Sequence, residues 1–247
     1  MTTIARIREL FRVMGEMAQI LPARSYQMPE SDEQVSLGSV FEDTVSRYPD
    51  NIMLIFEGRQ WTYAEFNGEV NRLARVLAGK GVSRGDTVAL LMENRAEYFV
   101  AMLALVKLGA SASLVNNSLS GAALVHCLRA TNAGGCILGE ERSDVFDAVR
   151  NELGWAGAEG ILWFPDGAGG ESPQWAVDAR AEMATHSAEN PEITRTVTAG
   201  ETALYIFTSG TTGLPKAAVI LHRKILATGQ AMGATGFRLK PEDRLYL

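Results

Sequence analysis

Apolar residues along this chain switch repeatedly between helical and extended spacing, and the switches mark out its elements. Leu37, Val40, Phe41, Val45 and Tyr48 recur at the interval of one helix face and stop at Pro49-Asp50-Asn51. Ile52 to Phe56 is a short continuous apolar run, which predicts a strand, and Glu57-Gly58-Arg59 turns it into a second, Gln60-Trp61-Thr62. Thr62 stands three residues before Glu65, the spacing at which a hydroxyl and a carboxylate cap a helix start reciprocally. Phe66, Val70, Leu73, Ala74 and Leu77 follow at helical spacing until Gly79-Lys80-Gly81. Residues 87–91 predict the next strand, and Asn94 with Glu97 predicts a capped helix through Val100, Leu103, Ala104 and Val106 to Gly109. Strands are predicted over 111–115, 135–138 and 161–164, with helices over 122–130 and 144–153 between them. Strands apolar on both faces that alternate with helices argue for an α/β fold, mainly parallel sheet flanked by helices. Residues 165–200, rich in Gly, Ala, Pro, Glu and Asp and without a period, predict a poorly packed connection.

The first segment has its own pattern. Ile4, Ile7, Leu10, Phe11, Met14, Met17, Ala18 and Leu21 share one helical face closed by Pro22, which predicts an amphipathic helix within residues 1–24. Arg6, Arg8, Arg12 and Arg24 outweigh Glu9 and Glu16 there, so this segment is cationic in a chain whose net charge is −6. Two readings stay open: peripheral contact of residues 3–21 with the inner face of an anionic membrane, or packing on the protein's own surface. The same charges interrupt any apolar core of a secretory signal. The longest stretch without a charge, residues 108–128, holds Asn116, Asn117 and four serines and does not read as a membrane span. Of the 247 residues, 47% are hydrophobic and 21% charged, which excludes a disordered chain, and 23 Lys and Arg without a basic block exclude a nucleic-acid partner. Cys127 and Cys136 form no C-x-x-C pair and the three histidines are scattered, so the cysteines read as buried thiols of a reducing cytoplasm and no metal set emerges.

Chemistry concentrates after residue 200. The apolar strand 202–207 leads into Thr208-Ser209-Gly210-Thr211-Thr212-Gly213-Leu214-Pro215-Lys216, and a second strand, 217–221, follows at once. Four hydroxyls, two glycines and a lysine between two strands point to a polyanion: Gly210 and Gly213 let backbone N–H groups approach phosphate oxygens, the hydroxyls donate, and Lys216 adds charge. A Walker A loop requires Lys directly after the second Gly and then Ser or Thr; here Leu214-Pro215 intervene and Ala217 follows. A dinucleotide fingerprint fails as well, because Gly167-Ala168-Gly169-Gly170 joins no strand to a helix, and G-x-S-x-G is absent around Ser209. A Ser209–Lys216 nucleophile pair, as in Ser/Lys amidase-like hydrolases, stays open without a third partner.

From Tyr205 to Lys216 the chain resembles the phosphate-binding signature of the adenylate-forming, or AMP-binding, superfamily. Leu37 to Phe41, Trp61-Thr62-Tyr63, Gly85-Asp86-Thr87-Val88-Ala89 and Ala101-Met102-Leu103-Ala104-Leu105 extend the resemblance over most of residues 36–247. Val115-Asn116-Asn117-Ser118-Leu119 with His126-Cys127-Leu128 looks most like the long-chain and very-long-chain acyl-CoA synthetases, also called fatty acid transport proteins. The resemblance implies that a fatty acid attacks the α-phosphorus of ATP, with Mg²⁺ bridging phosphates, and that coenzyme A then displaces AMP. By the same analogy Thr208, Ser209, Gly210, Thr211, Thr212 and Gly213 wrap the β- and γ-phosphates and Lys216 lies beside them. The family's later motifs, which line the acyl pocket, hold adenine and ribose and carry the catalytic lysine, have no counterpart up to Leu247. Residues 243–247 read as an interrupted strand, so an N-terminal portion of a longer ligase is expected, with catalytic residues beyond Leu247; a non-catalytic module that binds a nucleotide or membrane is the alternative. His222 reads as a cap of the helix that follows, His126-Cys127 and the Trp61/Tyr63 pair as packing, and Arg223 with Lys224 as a solvated helix start.

Overall fold

The computed structural model describes residues 9, 12–14, 26–155, 160–167, 170–208, 214–233, 237, 239–240 and 243–245. Helix α1 (Leu37–Arg47) starts at Ser36, whose hydroxyl accepts from Ser39 N at 3.1 Å while Ser36 N donates to Ser39 Oγ. Strands β1 (Ile52–Phe56) and β2 (Arg59–Thr62) form an antiparallel hairpin apart from the main sheet, and its turn places Glu57 and Gly58 at positive φ. Helix α2 (Tyr63–Gly79) begins in the foreseen reciprocal cap: Glu65 N donates to Thr62 Oγ1 and Thr62 N to the Glu65 carboxylate.

The main sheet alternates with helices as β3 (Thr87–Leu91), α3 (Ala96–Lys107), β4 (Ser111–Leu114), α4 (Gly121–Ala130), β5 (Cys136–Gly139), α5 (Ser143–Leu153), β6 (Ile161–Phe164), β7 (Val177–Asp178), α6 (Ala179–Met183), β8 (Thr202–Thr208), β9 (Lys216–Leu221) and α7 (His222–Ala231). Its seven strands run in the order β7-β6-β5-β3-β4-β8-β9, parallel throughout except for the antiparallel β8–β9 pair. From β3 the chain moves to β4 on one side and later to β5 on the other. Right-handed crossovers in opposite directions then put α3 and α4 on opposite faces. Strand alternation feeds both: Val88, Leu90, Ile137, Leu162 and Phe164 join α2, α3 and α6 in one core, and Ala89, Leu91, Cys136, Leu138, Ile161 and Trp163 join α4 and α5 in the other. Both cysteines are unpaired and buried, and burial raises each thiol's pKa.

A polar seam crosses the first core. The Lys107 ammonium, fully buried, donates to the side-chain oxygens of Asn67 (2.7 Å), Asn71 (2.6 Å) and Asn190 (3.1 Å) and lies 3.0 Å from the Glu42 carboxylate. Its three protons are spent on the three amides, so Glu42 serves as its countercharge and is shared with Arg195 at 2.9 Å.

Several expectations change. Arg95, not Asn94, occupies the cap position of α3 and makes no side-chain cap bond, because a guanidinium has only donors and a cap must accept from backbone N–H groups. Residues 165–200 are not loosely packed: they supply β7, α6 and a 3₁₀ turn at Glu192–Thr196, and Ala179, Thr194, Val197 and Ala199 are fully buried. These elements span too few residues to show a hydrophobic period. Asp243, Arg244 and Leu245 lie outside any strand. Within the expected N-terminal helix, residues 9 and 12–14 are helical and exposed, with Arg12 paired to Glu9 at 2.6 Å, and the remainder of 1–24 lies outside the described residues. No described helix is long and apolar enough to cross a membrane.

Candidate functional site

Strand β8 runs parallel to β4, so its carboxyl end, like those of β3, β4, β5 and β6, opens on one edge of the sheet, where open α/β sheets hold their ligands. The hairpin register ends at Thr208 opposite Lys216, and Thr208 Oγ1 donates to Lys216 O at 3.4 Å. Both side chains are exposed at the mouth of the loop, so a hydroxyl and an ammonium face solvent together. Ser209, Gly210, Thr211, Thr212 and Gly213 lie outside the described residues. Of the seven residues expected to bind phosphate, the structure therefore places two, side by side. Leu214 is exposed, and the Pro215 carbonyl accepts from His126 Nε2 of α4 at 3.0 Å.

The same edge carries a feature that sequence reading missed. Arg95, 7% exposed, donates through Nη2 to Phe164 O at 3.1 Å and lies 3.3 Å from Asp166, 3.5 Å from Glu97 and 3.6 Å from Glu141. Arg180 pairs with Glu97 as well, and Glu141 and Glu140 accept from the backbone N–H groups of Glu93 and Asp166. The guanidinium thus ties together the segments that follow β3, β5 and β6. Carboxylates outnumber cations in this cluster, whereas the Thr208–Lys216 mouth presents a hydroxyl and an ammonium. Charges at 95, 97, 141 and 166 are too far apart in sequence for any local pattern to have linked them.

His222 does not stand free at this site. His222 is fully buried at the start of α7, where its Nδ1 accepts from Leu37 N at 3.1 Å; it caps α1 rather than its own helix. Burial pushes its pKa down to about 4, against the opposing pull of the Glu201 charge. Arg223 is half-buried and donates to Ser31 Oγ at 2.7 Å, whereas Lys224 is exposed as expected. Trp61 packs into the first core with Arg59 over its ring at 4.2 Å, and Tyr63 lies against Phe41 with ring centroids 6.4 Å apart. A cavity of about 260 Å³ lined by Lys80, Asp86, Thr87, Gly134, Gly135 and Gly160 opens at the amino-terminal ends of the strands, the edge opposite the loop. Among the described residues no group of three or more His, Cys, Asp or Glu side chains is placed to hold a metal ion.

Comparison with known proteins identifies the family and the fold. The pattern of the family described as AMP-binding enzyme matches residues 41–247. The medium/long-chain fatty-acid–CoA ligase FadD6 of Mycobacterium tuberculosis is 38% identical over 215 residues, covering 87% of this chain and 34% of that protein. Long-chain fatty acid transport protein 6 of Homo sapiens is 31% identical over 207 residues, covering 83% and 32%. An anthranilate CoA ligase solved with anthranoyl-AMP superposes with a TM-score of 0.72 at 23% identity, over 85% of this chain and 38% of that one, which speaks for the fold alone. The N-terminal domain of FACL13 from Mycobacterium tuberculosis superposes at 0.62 with 26% identity, over 76% and 44%. The chain spans about a third of the length of the curated relatives it matches.

Proposed function

Since this chain belongs to the AMP-binding enzyme family, we propose that it carries the phosphate-binding loop of an ATP-dependent fatty acid–CoA ligase. The observation that carries this reading is the hydroxyl- and glycine-rich loop at the carboxyl edge of a parallel sheet, with Thr208 and Lys216 paired at its mouth, in a chain 38% identical over most of its length to a fatty-acid–CoA ligase.

In the first step a carboxylate oxygen of the fatty acid bonds to the α-phosphorus of ATP and the bond to the β-phosphate oxygen breaks, giving acyl-adenylate and pyrophosphate. In the second, the thiol of coenzyme A bonds to the acyl carbon, AMP leaves, and the thiol proton passes to solvent. The first step gathers a triphosphate and a carboxylate in one place, so the protein's part is positioning and charge neutralisation. Thr208, Ser209, Thr211 and Thr212 donate hydroxyl hydrogen bonds, Gly210 and Gly213 open the backbone N–H groups to phosphate oxygens, and Lys216 offsets their charge. Mg²⁺ would enter bound to the nucleotide's phosphates and offset their charge there; among the described residues no group of three or more His, Cys, Asp or Glu side chains is placed to hold it alone. The protein acts in the cytoplasm, and residues 3–21 hold it at the inner face of an anionic membrane, where its apolar substrate partitions.

The test is exchange of radiolabelled pyrophosphate into ATP, dependent on fatty acid, by the full-length gene product. Exchange with long-chain acids supports the ligase. Absence with long, medium and short acids, together with an amidase activity lost in Ser209→Ala, would replace it by the Ser/Lys hydrolase. Absence of both activities with nucleotide or liposome binding retained would leave a non-catalytic binding module.

A further inference from the structure

We propose, resting on the reading of Thr208–Lys216 as a phosphate loop, that His126 is a positioning residue that pins the outgoing stem of that loop. Proline has no N–H, and Pro215 lies just past the last register pair of the hairpin, so the ladder makes no use of its N-terminal side. Its carbonyl is taken instead by His126 Nε2 at 3.0 Å, across 89 residues of sequence. A carbonyl only accepts, so Nε2 carries the proton and donates.

The imidazole is a firm anchor because its helix is. Leu124, Val125, Cys127 and Leu128 on either side of it are buried in the second core, which leaves α4 no freedom to slide. The incoming stem is held by the same core, since Phe207, one residue before Thr208, packs against that cluster. The second core therefore seats both stems, Phe207 by direct apolar contact and Pro215 through the hydrogen bond from α4, on either side of the Thr208–Lys216 pair. Stems held in place on both sides reduce the backbone freedom that ATP binding must remove at the loop mouth, where Thr208 and Lys216 stand. The link concerns ATP alone: His126 reaches a backbone carbonyl, not a substrate.

The experiment compares His126→Ala, His126→Gln and His126→Asn in the full-length product. The Gln amide reaches as far as Nε2 and donates in its place; the Asn amide is too short. Ala and Asn should raise KM for ATP roughly three- to tenfold, the worth of one net hydrogen bond, while KM for the fatty acid and for coenzyme A stays unchanged and Gln restores the wild-type value. A second readout needs no activity: amide hydrogen exchange in peptides spanning residues 205–218 should quicken in Ala and Asn but not in Gln, with the rest of the chain unaltered. Wild-type KM for ATP and wild-type exchange in His126→Ala overturn the proposal, and so does a Gln variant as impaired as Ala. If the wild type shows no fatty-acid-dependent activity, the ligase reading fails, while the exchange measurement still decides whether His126 holds the stem.

Discussion

At the scale of single residues, buried titratable groups tie the fold's stability to pH and charge. Neutral His222 caps α1 through Nδ1, which leaves its proton on a buried Nε2 without a hydrogen-bond partner. Its pKa in the folded chain, about 4, lies below its ordinary 6.5, so the unfolded chain takes up a proton first as the pH falls. The stability this provides is fully present above pH 6.5 and is lost as the pH falls from there to about 4. The stake is about 3 kcal/mol for a depression of this size. Thermal unfolding followed between pH 7.5 and 4.5 should show a downward slope that flattens in His222→Leu, a variant less stable at pH 7.5 because Leu37 N loses its acceptor. An equal slope in both proteins would assign the acid sensitivity to other groups. Lys107 meets the same pair of forces: burial lowers its pKa to about 8, and Glu42 at 3.0 Å opposes the shift. Lys107→Met strands the amide oxygens of Asn67 and Asn71, whereas that of Asn190 keeps its two amide donors, and weakens the neutralisation of Glu42; it should cost about 3–5 kcal/mol in denaturant unfolding. Neither burial was legible beforehand. His222 looked like a local cap and Lys107 carried no signal of its own, because their partners lie 185 and up to 83 residues away.

At the scale of elements, what could be read was what neighbours in sequence decide. The Thr62–Glu65 box was legible because both partners fall within one helical turn, and it closes as written, with the two groups' hydrogen bonds holding the Glu65 carboxyl below its usual pKa. Thr62→Ala should therefore destabilise by about 1 kcal/mol, seen as a lower unfolding midpoint with an unchanged denaturant slope. The Asn94 cap failed because Arg95, drawn to Phe164 O and three carboxylates, shifts the helix start by one residue. The segment 165–200 failed for want of length: β7 has two residues and α6 five, too short for a period, yet Val177 pairs with β6 and Asp178 caps α6 by accepting from Ala181 N at 3.0 Å. For the cationic first helix the discriminating measurement is liposome co-sedimentation of the full chain and of a form lacking residues 1–24. Loss of binding to anionic vesicles on deletion, and weakened binding at high salt, is the expected result. Equal binding by both forms would return that helix to the protein's own surface.

At the scale of the molecule, strand positions were legible but their order was not. Each strand announces itself by its own apolar run, whereas the reversal at β3 is set by which faces of distant strands bury together. The Thr208–Lys216 loop stood out in the sequence for the reason the strands did, being contiguous; the bond from His126 to Pro215 joins residues 89 apart and left no trace in either segment. The hairpin that presents the loop also has a liability of its own. Among the described residues β9 pairs with β8 alone, so its other side offers a row of backbone donors and acceptors. Register places Ile206 opposite Ala218 and Val219 opposite Tyr205, so the exposed Ile206 and Val219 lie on opposite faces of the hairpin. An edge strand apolar on both faces and free of internal charge is a template for another copy of itself. The 247-residue chain should accordingly associate as its concentration rises through the micromolar range in analytical ultracentrifugation. Val219→Lys places a charge on the solvent-facing side of that edge, where it disturbs no buried contact and changes stability by less than about 0.5 kcal/mol. It should suppress the association while leaving the unfolding midpoint in place. If the chain stays monomeric over that range, or if Val219→Lys associates as strongly as the parent, then the exposed edge is not the surface through which copies meet.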